Sequence, residues 1–132
     1  MAIAPEPLDR GITQFNGGEF YACHDILEDL WMEAGEPDRT FLQGVLQVAV
    51  GLYHLTNHNW QGAVTLLGNG VNRLRPYGPT YAEVDVDHLL DWSTALLVQL
   101  QQGGPESIAA SAPTTDEAEG AAALPYRIRY IS

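Results

Sequence analysis

Lysine is absent from this chain, and its six arginines stand against seventeen acidic residues. The formal net charge is −11 at pH 7. Proteins that bind nucleic acid or anionic lipid neutralise phosphates with clustered cations, and this sequence has few cations to cluster. We therefore expect neither a nucleic-acid partner nor a membrane partner.

Cysteine is nearly absent, since Cys23 is the one thiol in the sequence. A single cysteine excludes a disulfide within the chain and a zinc site built from cysteines. Because Cys23 falls on the apolar face of a predicted helix, we expect it to be a buried and unreactive thiol.

Long apolar runs are missing as well. The longest candidate, Phe41 to Leu55, is shorter than the ~20 residues of a membrane span, and polar residues interrupt it at Gln43, Gln47 and His54. A run of this kind is typical of a buried core helix. The first ten residues lack the basic and apolar segments of a secretion signal, so we expect a cytoplasmic protein.

The charges that are present lie on either side of an uncharged centre. Residues 1–38 carry nine acids and one arginine, whereas residues 40–72 contain no Asp, Glu, Lys or Arg. Such a stretch indicates a buried centre, because solvated segments usually carry ions. A chain of 132 residues is long enough to form one domain with its own core.

Apolar residues at helical spacing predict an all-α fold, a compact bundle of four main helices with a short helix at the N-terminus. The predicted N-caps are Asp9, Asp38, Asn59 and either Asp85 or Asp87. Glycine and proline clusters separate the helices. The predicted helices span about residues 9–16, 18–34, 39–56, 60–75 and 86–102, all within a domain of residues 1–103.

Glycines and tryptophans within these helices are assigned to packing. Glycine lets a neighbouring backbone approach closely, and tryptophan at core spacing supplies buried area. The glycines predicted to lie at close helix contacts are Gly44, Gly51, Gly62, Gly68 and Gly70. The tryptophans predicted to lie in the core are Trp31, Trp60 and Trp92.

The C-terminal part changes character after the last helix. Residues 104–123 are small and acidic without periodicity, which predicts a flexible linker. Residues 124–132 form an arm in which Tyr126, Ile128 and Tyr130 alternate with two arginines, a period typical of a strand. We expect this basic arm to dock either on its own domain or on a neighbouring subunit, which would make the chain a homo-oligomer.

Polar side chains follow one edge of each of two neighbouring helices. His24 and Glu28 lie one turn apart beside Trp31, and Gln47 and His54 share a stripe of the next helix. If the two helices pack along these edges, the four polar groups meet in a polar seam. The sequence therefore indicates one place where chemistry or a structural network could lie.

These motifs resemble those of the DUF309 family of small all-helical proteins. The resemblance rests on Phe15-Asn16, on His24-Asp25-x-x-Glu28-x-x-Trp31 and on a helix with Gln47 and His54, and it covers about residues 9–100. The sequence departs from the family pattern at Cys23 and Asp25, where alanine and glutamate are usual. The resemblance implies a compact helical bundle, and the family offers no established activity to transfer.

Two interpretations of the seam remain open. In the first, His24, Glu28, Gln47 and His54 form a buried hydrogen-bond network in a helical scaffold or interaction module. In the second, the same four residues are the catalytic groups of a small enzyme, such as a metal-assisted hydrolase. His24, Glu28 and His54 would then be ligands of a divalent metal such as zinc, with open positions for substrate.

Overall fold

Helix boundaries fall where the sequence places its breaks. In this computed structural model, which describes residues 5–108 and 126–131, left-handed Gly18 (φ 84°) follows the first helix and the loop Asn57-His58-Asn59 precedes the fourth. The five helices are α1 (Pro5–Asn16), α2 (Phe20–Glu33), α3 (Asp38–Thr56), α4 (Trp60–Leu74) and α5 (Val86–Gly103). The prediction of a mainly helical fold is confirmed.

Two of the predicted N-caps are confirmed and two are wrong. Asp9 lies inside α1, which begins at Pro5, four residues earlier than predicted. Asn59 accepts a hydrogen bond from the Gly62 N–H at 3.0 Å, and Asp85 accepts one from the His88 N–H at 3.0 Å. Asp38 is instead the first residue of α3, and its side chain caps nothing.

The first turn of α3 is held by the residue before Pro37. Glu36 accepts hydrogen bonds from the hydroxyl and the backbone N–H of Thr40, which together hold the pKa of Glu36 below its usual value. Glu36 therefore caps the first turn of α3, the role that the sequence predicts for Asp38.

Each helix packs against the next along the chain, and α3 makes its widest contact with α4. A Cβ on Gly70 would lie 2.8 Å from the carbonyl oxygen of Gly44, so the two backbones meet at a distance that only glycine allows. Gly51 and Gly62 are similarly close to neighbouring side chains. Gly68 was wrongly predicted to be a close contact, because its nearest neighbour would be 4.0 Å away.

The three tryptophans pack against the core but keep part of their surface exposed. The Trp60 indole donates to the Leu100 carbonyl at 2.8 Å, which ties the start of α4 to the end of α5. The guanidinium of Arg39 lies 4.1 Å from the centre of the Trp31 ring, a cation–π contact.

A short hairpin between α4 and α5 was not predicted. β1 (Thr80–Tyr81) and β2 (Val84–Asp85) pair antiparallel after a 3₁₀ turn at Arg75–Tyr77. The two turn residues, Ala82 and Glu83, both have positive φ, at 50° and 65°. Such turns usually carry Asn or Gly, so the sequence gives little signal for this one.

The C-terminal arm docks on its own chain. Ile128 is buried in the common core, and Asn16 clamps its backbone with one donated and one accepted hydrogen bond, each 2.8 Å long. Tyr130 forms a bridge with Val84 on the outer edge of the hairpin. The sequence predicts docking either on the chain's own domain or on a neighbouring subunit. Residues 126–131 dock on their own domain.

The first residues of the predicted linker are ordered against the helical domain. Gly104–Ser107 form a 3₁₀ turn and Ile108 reaches the core, so the helical domain extends at least to Ile108. Most of the linker prediction, residues 109–123, lies outside the described residues. Among residues 5–108, no helix combines the length and the apolar character needed to cross a bilayer.

Candidate functional site

His24 and Glu28 lie together on the outer side of α2. His24 Nε2 is 3.8 Å from a Glu28 carboxylate oxygen, and His24 Nδ1 is 3.5 Å from Asp25. The side chains of His24 and Glu28 are 24% and 48% exposed, so this end of the predicted seam faces solvent. The Nδ1 atom itself is covered and makes no hydrogen bond among the described residues.

Gln47 and His54 turn toward α4. Gln47 accepts a hydrogen bond from Arg73 Nε at 3.1 Å. His54 Nδ1 lies 3.3 Å from the side-chain nitrogen of Asn59, and a Cβ on Gly62 would be 2.8 Å from the imidazole ring. These two side chains therefore belong to the contact between α3 and α4.

A row of aromatic rings runs between the two pairs. Tyr21 lies 5.5 Å from His24 and 5.3 Å from Tyr53, and Tyr53 lies 6.2 Å from His54, measured between ring centres. Tyr21 and Tyr53 are exposed. The predicted seam thus consists of two polar pairs on either side of two surface tyrosines.

The potential metal ligands cluster on α2 alone. His24, Asp25 and Glu28 offer ligand atoms that all lie within 4.8 Å of one another, and this group within the described ranges does not include His54. The helix spacing places His24 and Glu28 together, as the sequence predicts. Asp25 was not predicted as a ligand. The metal assignment to His24, Glu28 and His54 stays a prediction.

Cys23 contributes no nucleophile to this surface. It is buried in the core beneath α2, and burial raises the pKa of its thiol to about 12 despite a backbone hydrogen bond from Phe15 that acts in the opposite direction. The predicted burial of Cys23 is confirmed, and its low reactivity stays a prediction that the raised pKa supports, because the thiolate is the reactive form.

An open cleft of about 930 Å³ lies elsewhere on the molecule, between the start of α1, the start of α3, the hairpin and the arm. No sequence pattern predicts it, because its walls come from four segments that are far apart along the chain. Its polar lining includes four carboxylates and two phenols: Glu6, Asp9, Asp38, Glu83, Tyr81 and Tyr130.

Comparison with known proteins gives a family match and one distant relative. The DUF309 family model, described as a domain of unknown function, matches residues 8–66, which confirms the resemblance predicted from the motifs. The protein YpuF of Bacillus subtilis, described as uncharacterized, is 30% identical over 86 residues. The alignment covers 63% of this chain, which spans about half (49%) of that relative's length. Neither match attaches an activity.

Proposed function

Because residues 8–66 match the DUF309 family, we propose that the chain is a helical scaffold or interaction module whose polar residues on α3 serve structure. The observation that carries this proposal is the position of their side-chain partners, which lie on α4 and at its N-cap. Gln47 bonds to Arg73 of α4, and His54 contacts Asn59, the N-cap of α4.

These contacts specify how α3 and α4 are aligned along each other. The glycines bring the two backbones close, and the polar contacts at Gln47 and His54 stand about two turns apart on the same edge. A displacement of one helix by a turn would leave both pairs unmade and would place side chains against Gly70. Each of these exposed contacts adds a modest free energy to the observed alignment, because it is lost in the displaced one.

The structural role of His54 is tested by thermodynamic stability. His54→Ala removes the contact with Asn59, and we expect the free energy of unfolding to fall by about 1 kcal/mol in urea denaturation. His58→Asn is the matched control, because His58 is exposed and has φ 60°, a conformation that asparagine tolerates. Equal stability of the two variants would contradict the proposal.

A second candidate function is metal-assisted hydrolysis on the surface of α2. It is favoured by the clustering of His24, Asp25 and Glu28, a donor set of one imidazole and two carboxylates that suits a divalent ion such as zinc. In this hypothesis Glu28 is a ligand or a base. His54 would have to leave Asn59 to join the ligand set.

Metal content separates the two functions. If α2 holds a catalytic metal, the purified protein should bind one equivalent of zinc in equilibrium dialysis, and His24→Ala should abolish that binding without changing the helical circular dichroism. His58→Asn is again the control, because it removes an imidazole outside the cluster. Retained zinc binding in His24→Ala would contradict this site.

The remaining parts of the proposal concern the setting of the domain. We propose a compact helical bundle that works in the cytoplasm, apart from nucleic acid, and that self-associates. The net charge of −11 supports the absence of a nucleic-acid partner, since it opposes phosphate binding. Light scattering tests self-association, and removal of residues 124–132 tests whether the arm mediates it.

A further inference from the structure

The cleft beside the arm contains a buried carboxylate. Asp38 is only 8% exposed and lies at the first residue of α3. Tyr81 donates a hydrogen bond to Asp38 Oδ1, and Oδ2 accepts none from the residues that the structure describes. A carboxylate offers about four acceptor sites, so most of the capacity of Asp38 is unused.

The position of Asp38 at the start of α3 suits a negative group. The N-terminus of a helix has a partial positive charge and stabilises an anion in its first turn. An ionised carboxylate that is nine-tenths buried needs further donors or a counter-charge. Asp38 lines the cleft, so the missing partner can reach it from there.

Within residues 5–108 and 126–131, the lining of the cleft includes no positively charged side chain. Its lining includes three more acids, Glu6, Asp9 and Glu83, and no arginine among the described residues. The nearest arginine in sequence, Arg39, extends over the ring of Trp31 instead. A positive partner for Asp38 would therefore come from outside the lining.

The phenols in the cleft stay neutral. Burial, followed by hydrogen bonding to Asp38, raises the pKa of Tyr81 to about 12, and burial with a hydrogen bond to Asp9 does the same for Tyr130. Tyr81 and Tyr130 therefore supply ring surface beside Leu8 and Pro37, which add apolar wall. Aromatic faces and carboxylates both attract cations.

We propose that this cleft binds an organic cation, an ammonium or guanidinium group on an apolar stem, with the Asp38 carboxylate as its principal partner. The cation occupies the open side of Asp38, and the stem lies along the tyrosines and prolines. The volume of about 930 Å³ is at the upper end of the range for ligand sites, so a cation with an apolar stem fits. Either a free polyamine or an arginine side chain of a peptide has this chemistry.

Isothermal titration calorimetry of the full chain tests the proposal with named probes. Spermidine represents the free amine, and acetyl-Leu-Arg-Leu-amide represents the peptide. The same peptide with citrulline in place of arginine has nearly the same shape without the charge. We expect at least one cationic probe to bind and the citrulline peptide to bind at least tenfold more weakly.

Variants locate the bound cation. Asp38→Asn keeps an acceptor for Tyr81 and removes the charge, and we expect it to weaken binding about tenfold or more. Glu83→Gln, on an exposed side chain whose loss cannot unfold the core, should weaken binding a few-fold. Asp29→Asn is the matched control, because it removes one charge from an exposed site on α2 outside the cleft.

Several results would overturn the proposal. They are binding of neither cationic probe, equal binding of the arginine and citrulline peptides, or equal weakening by Glu83→Gln and Asp29→Asn, which would indicate general attraction to an acidic surface. If Asp38→Asn does not fold, the comparison of Glu83→Gln with Asp29→Asn still tests whether the cation binds in the cleft. The outcome is independent of the scaffold proposal, which rests on the stability of His54→Ala.

Discussion

Gly70 determines how closely α3 and α4 can pack. It lies where α4 crosses α3, and an added Cβ would meet the Gly44 carbonyl oxygen at 2.8 Å and the Val48 backbone nitrogen at 3.0 Å. Backbone atoms cannot turn away as the end of a flexible side chain can. The wide contact between these helices therefore depends on the absence of a side chain at this position.

We expect Gly70→Ala to destabilise the protein by about 1–3 kcal/mol, because the two helices must separate to admit the methyl group. The measurement is the free energy of unfolding from urea denaturation. Gly68→Ala is the control in the same helix, where the new Cβ would have no neighbour closer than 4.0 Å. Gly68→Ala should be neutral or stabilising by up to about 1 kcal/mol. Destabilisation of similar size in both would show that helix packing is not the cause.

Residues whose partners are close in sequence were the most predictable. Asn59 caps a helix that begins at the next residue, and His24 meets Glu28 one turn away. Asp38 was misassigned, because its partner Tyr81 is 43 residues away and lies in an unpredicted hairpin. The same limit applies to Tyr53, whose aromatic neighbour Tyr21 lies on α2 and is brought there by helix packing.

Among the elements, the arm depends most on contacts that are distant along the chain. Asn16, at the end of α1, holds the Ile128 backbone through both its amide atoms, and the Trp92 indole donates to the Arg127 carbonyl at 2.8 Å. Asn16 belongs to the Phe15-Asn16 pair by which the chain resembles the DUF309 family. The side chain of Asn16 thus holds the C-terminal arm against α1.

We expect Asn16→Ala to release the arm, because two hydrogen bonds of 2.8 Å are lost and the Ile128 N–H and carbonyl are left without partners. Trypsin cuts after arginine, so cleavage after Arg127 and Arg129 should become about five- to thirtyfold faster. Thr13→Ala, on an exposed position of the same helix, is the control. Unchanged cleavage in Asn16→Ala would mean that the arm is held by its other contacts.

Helices were predicted far better than the hairpin. Apolar residues at 3.6-residue spacing mark α2 to α5 over several turns, and glycine or proline marks their ends. The hairpin has strands of two residues each and a turn of Ala82 and Glu83, so neither period nor turn chemistry indicates it. The arm has a strand period, but the period cannot say which edge it will join.

The whole molecule has a pH dependence that follows from burial of weak acids. The pKa is raised from 9.0 to about 12 for Cys23 and from 10.0 to about 12 for Tyr81 and Tyr130, in each case mainly by burial. The folded chain therefore keeps protons that the unfolded chain releases. The contribution of these groups to the free energy of unfolding is complete below about pH 9, and it is lost as the pH rises toward 12.

We expect the free energy of unfolding to decline steadily between pH 9 and pH 11 in urea denaturation. Cys23→Ala removes the group that titrates first in the unfolded chain, so its stability should decline less between pH 9 and pH 10 than that of the natural sequence. The slopes are compared, not the absolute stabilities, because the substitution also leaves a small cavity. Identical slopes would show that the thiol does not govern this range.

The sequence by itself determined the helices, their order, the buried uncharged centre and the family resemblance. It could do so because helix formation and capping depend on neighbours a few residues apart. Only the tertiary structure decided that Gln47 and His54 face α4, that the arm joins the hairpin edge, and that Asp38 lies in an acidic cleft. These outcomes depend on packing between segments that are distant along the chain, and no local spacing carries that information.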